Sequence, residues 1–82
     1  MKYIVYSTEH CPKCELLKAA LGKAGISFEN LDLSTPEALT ELRINGVFTL
    51  SAPVLEVDDK FYTVVELFSG EKLVDLAEML KS

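Results

Sequence analysis

Few side chains in this sequence are able to bind a transition metal or react as a thiol. Among its 82 residues there are two cysteines, one histidine and no tryptophan. A closed zinc site needs four ligands, usually two cysteine pairs or one pair with added histidines. His10 is adjacent to Cys11, which is a poor spacing for such a site. We therefore predict no metal site, and any thiol chemistry must use Cys11 and Cys14.

Positive charge is also scarce. Eight Lys and Arg residues stand against thirteen Asp and Glu residues, which gives a net charge of -5. Nucleic acids and anionic membrane surfaces bind clustered positive charge. We expect neither a nucleic acid nor a membrane as a partner.

Long hydrophobic runs are absent as well. No segment approaches the roughly 18 apolar residues of a membrane span. The N-terminus leads directly into a predicted strand, without the pattern of a secretory signal peptide. These features predict a cytoplasmic protein, whose cysteines meet a reducing environment. A permanent structural disulfide is rare there, whereas a disulfide that cycles between oxidised and reduced forms is expected.

The hydrophobic pattern predicts one α/β domain over residues 1–82. Hydrophobic residues make up 49% of the chain, which is enough for a core. Their periodicity predicts the element order β-α-β-α-β-β-α. A β-α-β unit forms a parallel strand pair by crossover, and the later hairpin adds antiparallel strands, so the sheet should be mixed. The predicted elements are strands at 2–7, 26–33, 53–57 and 60–65, helices at 12–24 and 36–44, and a last helix that is capped by Ser69-Gly70 and carries Leu73, Leu76, Ala77 and Leu80.

The start of the second helix has two possible forms. Either Thr35 is the N-cap with Pro36 in the first helical position, or Ser34 and Glu37 form a capping box. The predicted hairpin turns at Asp58-Asp59, which is a weaker turn signal than Asn-Gly.

The stretch Cys11-Pro12-Lys13-Cys14 is the most informative part of the sequence. Two cysteines three residues apart are able to close a disulfide within one helical turn. The pair follows an apolar run that predicts a central strand, and Pro12 suits the first position of a helix. A C-x-x-C in this setting is typical of a redox motif. It falls at the carboxyl end of the central strand, where open α/β sheets place their sites.

The two cysteines are predicted to have different roles. At the start of the helix, unpaired N–H groups and the helix dipole favour a Cys11 thiolate. A lower pKa of Cys11 raises the fraction of this thiol that is ionised, but a less basic thiolate is also a weaker nucleophile. We therefore expect the two effects together to raise the rate of attack by Cys11 only about threefold. Cys14 begins the apolar face of the helix and should be more buried. Its placement matters more, because it is able to release a captured partner by intramolecular attack.

Ala52-Pro53 stands before a predicted strand. From the residues alone an ordinary trans proline is expected, because only about 5–6% of X-Pro bonds in folded proteins are cis. A cis bond beside the thiols would instead leave the backbone groups of Ala52 free to pair with an extended substrate.

The sequence Ser-Thr-Glu-His-Cys-Pro-Lys-Cys at 7–14, followed by a helix, a strand, a helix and then Ser51-Ala52-Pro53-Val54, resembles a glutaredoxin. The resemblance covers nearly the whole chain. It implies a thioredoxin fold, with a four-stranded mixed sheet flanked by three helices. It also implies Cys11 as the nucleophile, Cys14 as the resolving thiol and Pro53 as the cis-proline of the family.

Several positions differ from the common glutaredoxin pattern. Lys13 replaces a frequent Tyr, and Thr8 stands where a Lys usually serves the glycine carboxylate of glutathione. Ser69-Gly70 replaces a glycine pair, and Glu71 loosely matches the acidic residue after it.

Phe68-Ser69-Gly70 is similar to the Trp-Ser-Gly signature of NrdH-type redoxins, although the Arg-Pro signature of these proteins is absent. NrdH-type redoxins donate electrons to ribonucleotide reductase and are recharged by thioredoxin reductase. The electron source stays open between glutathione and an NADPH-dependent thioredoxin reductase.

Three further side chains, two in or beside the motif and one in the apolar loop before Pro53, each have a functional and a plainer interpretation. His10 either stabilises the Cys11 thiolate when protonated or, as we expect, is a solvated loop residue. Lys13 either attracts an acidic substrate or stabilises the thiolate, or it is simply exposed. Phe48 either belongs partly to the core or lines a groove for a partner.

We therefore predict a small dithiol–disulfide oxidoreductase that reduces protein disulfides and donates electrons to cytosolic enzymes, with ribonucleotide reductase as one candidate. It is expected to be a monomer without a tightly bound cofactor, whose partners are a disulfide-containing protein and a reductase or glutathione. An alternative is a non-catalytic iron–sulfur or metal carrier that uses the same thiols in a dimer, and another is a module that only senses redox state. The residues expected to contact the substrate are Lys13, Ala52, Pro53, Ser69 and Gly70.

Overall fold

A computed structural model describes residues 2–48, 51–76 and 78 of the chain. Four strands form one sheet in the order β2-β1-β3-β4, and two further strands form a separate antiparallel pair. Within these residues, no helix combines the length and the apolar character that crossing a bilayer requires. The elements are β1 (Tyr3–Ser7), α1 (Pro12–Lys23), β2 (Glu29–Asp32), α2 (Pro36–Ile44), β3 (Val54–Val57), β4 (Lys60–Tyr62), α3 (Val64–Leu67), β5 (Phe68–Ser69) and β6 (Lys72–Leu73).

The first strand lies in the middle of the sheet. β1 runs parallel to β2, with Val5 opposite Asn30, and antiparallel to β3, with Val5 opposite Leu55. β3 and β4 are joined by the turn at Asp58-Asp59 and are antiparallel. The prediction of a mixed sheet with a central first strand is confirmed.

Side chains of β1 point alternately to the two faces of the sheet, and they contribute to a separate hydrophobic cluster on each face. Val5 packs on one side of the sheet with Leu17 and Leu21 of α1 and Leu67 of α3. Ile4 and Tyr6 point to the other side, because successive side chains of a strand face opposite ways. The residues buried with them there include Leu33, Ala38, Leu42 and Val54.

Local signals in the sequence set the ends of the two long helices. In α1, Gly25 has a φ of +73°, and the N–H of Ile26 bonds the carbonyl of Leu21 across 2.9 Å. This is the Schellman geometry that glycine favours at a helix end. At the start of α2, Thr35 accepts a hydrogen bond from the N–H of Ala38. Of the two predicted forms, the structure has Thr35 as the N-cap with Pro36 following.

Two predicted strands are longer than those in the structure by more than one residue. The strand predicted at 26–33 is restricted to Glu29–Asp32, since Ile26 completes the end of α1. The strand predicted at 60–65 ends at Tyr62. Val64 instead begins the four-residue helix α3, whose first hydrogen bonds join the N–H groups of Glu66 and Leu67 to the carbonyl of Thr63.

The prediction that Ser69-Gly70 caps a last helix is wrong. Ser69 belongs to β5 and pairs with Lys72, while Gly70 and Glu71 form the turn between β5 and β6. Gly70 has a φ of +65°, which suits a tight turn and not a helix. Leu73 lies in β6, and helical backbone is found at Leu76 and Glu78; the remaining residues of the predicted helix, Ala77 and Leu80, lie outside the described part of the chain.

Candidate redox site

The two cysteines lie together at the start of α1 and are joined by a disulfide, with their Cα atoms 5.2 Å apart. Cys11 is the N-cap residue, with an extended backbone, and Pro12 takes the first helical position. The N–H of Cys14 donates a hydrogen bond to Cys11 Sγ across 3.1 Å. The helix start therefore points one of its unpaired N–H groups at the first sulfur.

The two thiol positions differ in exposure. Cys14 is 1% exposed and packs in the interior, whereas Cys11 is only partly buried. Cys11 also lines two surface grooves, which share Thr8, His10 and Pro12 as lining residues. A bulky partner is therefore able to reach Cys11 and not Cys14.

The first groove, which we call the Ala52 groove, brings together residues distant in the sequence. It has a volume of about 330 Å³. The Ala52–Pro53 peptide bond beside it is cis, and Pro53 is fully buried. Its lining residues are Thr8, His10, Cys11, Pro12, Lys13, Ala52 and Glu71.

The second groove, which we call the Glu15 groove, is lined by the loop before α1 and by the first two turns of that helix. It has a volume of about 590 Å³. Lys18, which lines this groove, forms an ion pair with Glu15 across 2.7 Å. The remaining lining residues are Thr8, Glu9, His10, Cys11 and Pro12.

A lysine of the motif rests on an aromatic ring. Lys13 Nζ lies 5.5 Å from the centroid of the Phe68 ring. Phe68 is 6% exposed and packs with the core residues of the α1 side of the sheet. The cationic group of the motif is thus in contact with a ring that is fixed by the fold.

The structure brings some of the predicted site residues together and leaves others apart. Cys11, Lys13 and Ala52 line one groove, and Pro53 follows Ala52 beneath it. Ser69 and Gly70 are exposed in the β5–β6 hairpin and do not line either groove around Cys11.

Sequence reasoning left Glu71 and His10 out of the site. Glu71 reaches the Ala52 groove from the hairpin turn, and its position one residue after Ser69-Gly70 was the only signal of this. His10 lines both grooves and has a φ of +54°, which is uncommon for a residue with a side chain. Nothing in the local sequence predicts that conformation.

No group of three or more His, Cys, Asp or Glu side chains suited to a metal ion occurs among the residues that the structure describes.

Comparison with known proteins agrees with this geometry. The family model described as Glutaredoxin matches residues 3–62, which include the central strand, both cysteines and Pro53. The chain belongs to the glutaredoxin family. As a member of this family with a Cys11–Cys14 pair, it is a thiol–disulfide oxidoreductase. The reaction of such a protein uses its own thiols and needs no tightly bound cofactor.

A solved structure shows the same thioredoxin-like fold. NrdH-redoxin from Escherichia coli is 30% identical in sequence to this chain, with a TM-score of 0.64. The match covers 77% of this chain and 82% of that one. That protein is described as glutaredoxin-like with a thioredoxin-like activity profile. No curated protein sequence matches the chain.

Proposed function

We propose that this glutaredoxin-family protein reduces disulfides of other proteins by a two-thiol reaction that begins at Cys11. The observation that carries the proposal is the contrast between an accessible Cys11 and a Cys14 that is 1% exposed. A disulfide of a partner protein is a bulky target, and it meets the accessible sulfur first. Cys14 is buried but lies within bonding distance of Cys11. It is therefore able to react only with the mixed disulfide that Cys11 forms with the substrate.

The reaction has two balanced steps. In the first, the Cys11 thiolate attacks one sulfur of the substrate disulfide; a bond forms between Cys11 and that sulfur, and the other substrate sulfur leaves as a thiolate and takes up a proton. In the second, Cys14 loses its proton and attacks Cys11 Sγ, which forms the 11–14 disulfide and releases the second substrate thiol. Two electrons pass to the substrate. A reductant must then return two electrons to the 11–14 disulfide.

We further propose that the substrate lies in the Ala52 groove. Ala52 and Cys11 line the same groove, so a substrate that reaches Cys11 through this groove also passes Ala52. A substrate chain in extended form is able to pair with backbone groups at that position. In this proposal Ala52 and Lys13 contact the substrate, and the buried Pro53 acts by holding the backbone of Ala52 in place. Ser69 and Gly70 act through the hairpin that brings Glu71 to the groove.

For the reductant we propose a flavin-dependent thioredoxin reductase, with NADPH as the electron source, in preference to glutathione. Glutathione carries two carboxylates at neutral pH, and binding it requires cations or helix N–H groups. The Ala52 groove offers Lys13 as its lysine and also contains the carboxylate of Glu71. Ser69-Gly70 forms a hairpin where a helix start would have presented N–H groups to an anion. The thioredoxin-like activity profile of the solved relative supports the same assignment.

The proposed physiological role is that of an electron donor, acting as a monomeric single domain in the cytoplasm. An enzyme that forms a disulfide in each turnover, such as ribonucleotide reductase, is the class of substrate that needs such a donor. The NrdH-type name of the solved relative and the similar Phe68-Ser69-Gly70 segment support this choice.

One pair of assays tests the reductant. Oxidised protein is mixed either with thioredoxin reductase and NADPH or with glutathione, glutathione reductase and NADPH, and NADPH consumption is followed with a protein disulfide as the acceptor. We expect rapid turnover with thioredoxin reductase and slow turnover with glutathione. Thr8→Lys adds a cation to the Ala52 groove and should raise the glutathione rate, whereas Thr40→Lys, on the exposed face of α2, should not. Faster turnover with glutathione in the wild-type protein would contradict the proposal.

A further inference from the structure

The contact between Lys13 and Phe68 fixes a charge in the Ala52 groove. A lysine side chain has several rotatable bonds, and ordering it costs free energy whenever it binds a partner. Here the ammonium group lies 5.5 Å from the centre of an aromatic ring, where the electrons of the ring attract a cation. The ring itself is held in place, because Phe68 is buried and pairs with Leu73. Lys13 is therefore partly ordered before any substrate arrives.

The opposite charge in the same groove is held differently. Glu71 is exposed and lies in the turn that joins β5 and β6, two strands of two residues each. A glutamate at such a position must be ordered by the substrate that it binds. Of the two charges, the ammonium of Lys13 is the one that a substrate meets already in place.

We propose that Phe68 is a positioning residue which holds the Lys13 ammonium as a docking point for an acidic side chain next to the reacting cysteine of the substrate. This inference rests on the proposed function, in which the substrate occupies the Ala52 groove. It names the substrate class more closely: a protein disulfide with an Asp or Glu beside the cysteine that Cys11 attacks. Phe68 acts only through Lys13 and does not touch the reacting sulfurs.

The test uses three short peptides as homodimeric disulfides, which differ only in the residue before the cysteine: Asp, Asn or Lys. Fully reduced protein is mixed with each peptide in excess, and the rate of peptide release is measured in a single turnover. Each rate is divided by the rate with dithiothreitol, which also attacks as a thiolate but carries no other charged group. The ratio corrects for the effect of the neighbouring charge on the peptide disulfide itself. For wild-type protein we expect the Asp peptide to react about two- to fivefold faster than the Asn peptide at low salt. The preference should shrink toward one at high salt, because exposed charges are then screened.

Four variants separate charge from positioning. Lys13→Gln should abolish the preference, and Lys13→Arg should keep it, because the charge and the contact with the ring both remain. Phe68→Leu should reduce the preference, and Phe68→Tyr, which retains a ring, should keep it. If Phe68→Leu does not fold, Phe68→Met serves in its place, since Met fills irregular space in a core without a ring. A loss of structure alone would slow all three peptides equally and leave their ratio unchanged.

The outcomes distinguish the inference from the proposed function. Equal rates for the Asp and Asn peptides in the wild-type protein, or a faster rate for the Lys peptide, would overturn the inference and leave disulfide reduction intact. An unchanged preference in Phe68→Leu, together with its loss in Lys13→Gln, would show that Lys13 acts without Phe68 and would equally overturn it. No reduction of any peptide by wild-type protein would overturn the proposed function and this inference with it.

Discussion

The backbone N–H of Cys14 donates a hydrogen bond to the sulfur of Cys11 across 3.1 Å. In most helices a Ser, Thr, Asp or Asn oxygen takes this role at the N-cap. Here the reacting sulfur itself occupies the capping position. Hydrogen bonds to a charged group stabilise its charged form, so the same N–H that begins the helix is directed at the thiolate that forms on reduction.

The different exposure of the two cysteines leads to different phenotypes on substitution. We expect Cys11→Ser to abolish reduction of protein disulfides, because the accessible nucleophile is lost. Cys14→Ser should still attack the substrate and then stop at a mixed disulfide, because nothing displaces the captured sulfur. Reduction of insulin measures the activity, and intact-mass spectrometry without reductant measures the trapped adduct.

The matched control for this pair is the double variant, which should neither react nor form an adduct. Adduct formation by Cys11→Ser in place of Cys14→Ser would mean that the roles of the two cysteines are reversed. Full insulin reduction by Cys11→Ser would remove the basis for a Cys11-first mechanism.

A buried tyrosine of the central strand should make folding stability depend on alkaline pH. Tyr6 is 1% exposed, and its hydroxyl donates a hydrogen bond to Glu56 Oε1 across 2.9 Å. Burial raises the pKa of Tyr6 above its ordinary value of 10.0, and the hydrogen bond to the Glu56 carboxylate raises it further. The folded protein therefore keeps the phenol proton at a pH where the unfolded chain releases it.

The sign of the effect follows from proton binding. Below about pH 10 both states are protonated, and the stabilisation from Tyr6 is fully present. As the pH rises above about 10, the unfolded state binds fewer protons than the folded state, so the free energy of unfolding decreases. Urea unfolding at about pH 8 and about pH 10.5 measures this. Tyr6→Phe should cost about 1–3 kcal/mol at neutral pH and show a smaller alkaline loss; an alkaline loss as large as that of the wild type would contradict the assignment to Tyr6.

The start of α2 depends on one hydroxyl group. Thr35 Oγ1 accepts a hydrogen bond from the N–H of Ala38 and donates one to the carbonyl of Asp32 across 2.9 Å. Thr35→Ala removes both and should lower the free energy of unfolding by about 1 kcal/mol. Thr40→Ala is the matched control, because Thr40 is exposed in the interior of the same helix. It should change stability by less than about 0.5 kcal/mol, and equal losses in urea unfolding would show that the cap contributes nothing.

The parts of the fold that were predictable from the sequence are those fixed by local signals. The apolar run of β1 and the helix that starts at Pro12 are encoded within a few residues of their positions. The roles of Cys11 and Cys14 as exposed and buried sulfurs follow from the helix period alone. Such features need no knowledge of distant contacts.

The segment after β4 was mispredicted because distant contacts decide it. Val64 and Val65 favour a strand by their branched side chains, yet they form a helical turn that buries Leu67 against the core. Ser69-Gly70 is a reasonable helix start in sequence and a hairpin turn in the structure. Glu71 is brought to the site by that hairpin, and no local pattern connects it with Cys11.

Two glycine substitutions with opposite expected signs test this part of the fold. At Gly70 a Cβ meets no atom within 4 Å, but the φ of +65° is unfavourable for any residue with a side chain. Gly70→Ala should therefore destabilise the protein by about 1–2 kcal/mol. Were Ser69-Gly70 the start of a helix, the same change would stabilise it by up to about 1 kcal/mol, because alanine is the better helix former.

Gly22 supplies the comparison, because it lies inside α1 with helical backbone and has no atom within 4 Å of an added Cβ. Gly22→Ala should stabilise the protein by about 0.5–1 kcal/mol. Chemically the two substitutions are identical and neither meets a clash, so the difference in sign reports backbone conformation alone. Urea unfolding of both variants measures the two changes in stability. Stabilisation by both substitutions would show that Ser69-Gly70 begins a helix and does not form the β5–β6 hairpin. In that case Glu71 would lie in a helical turn, and its place in the Ala52 groove would have to be assigned anew.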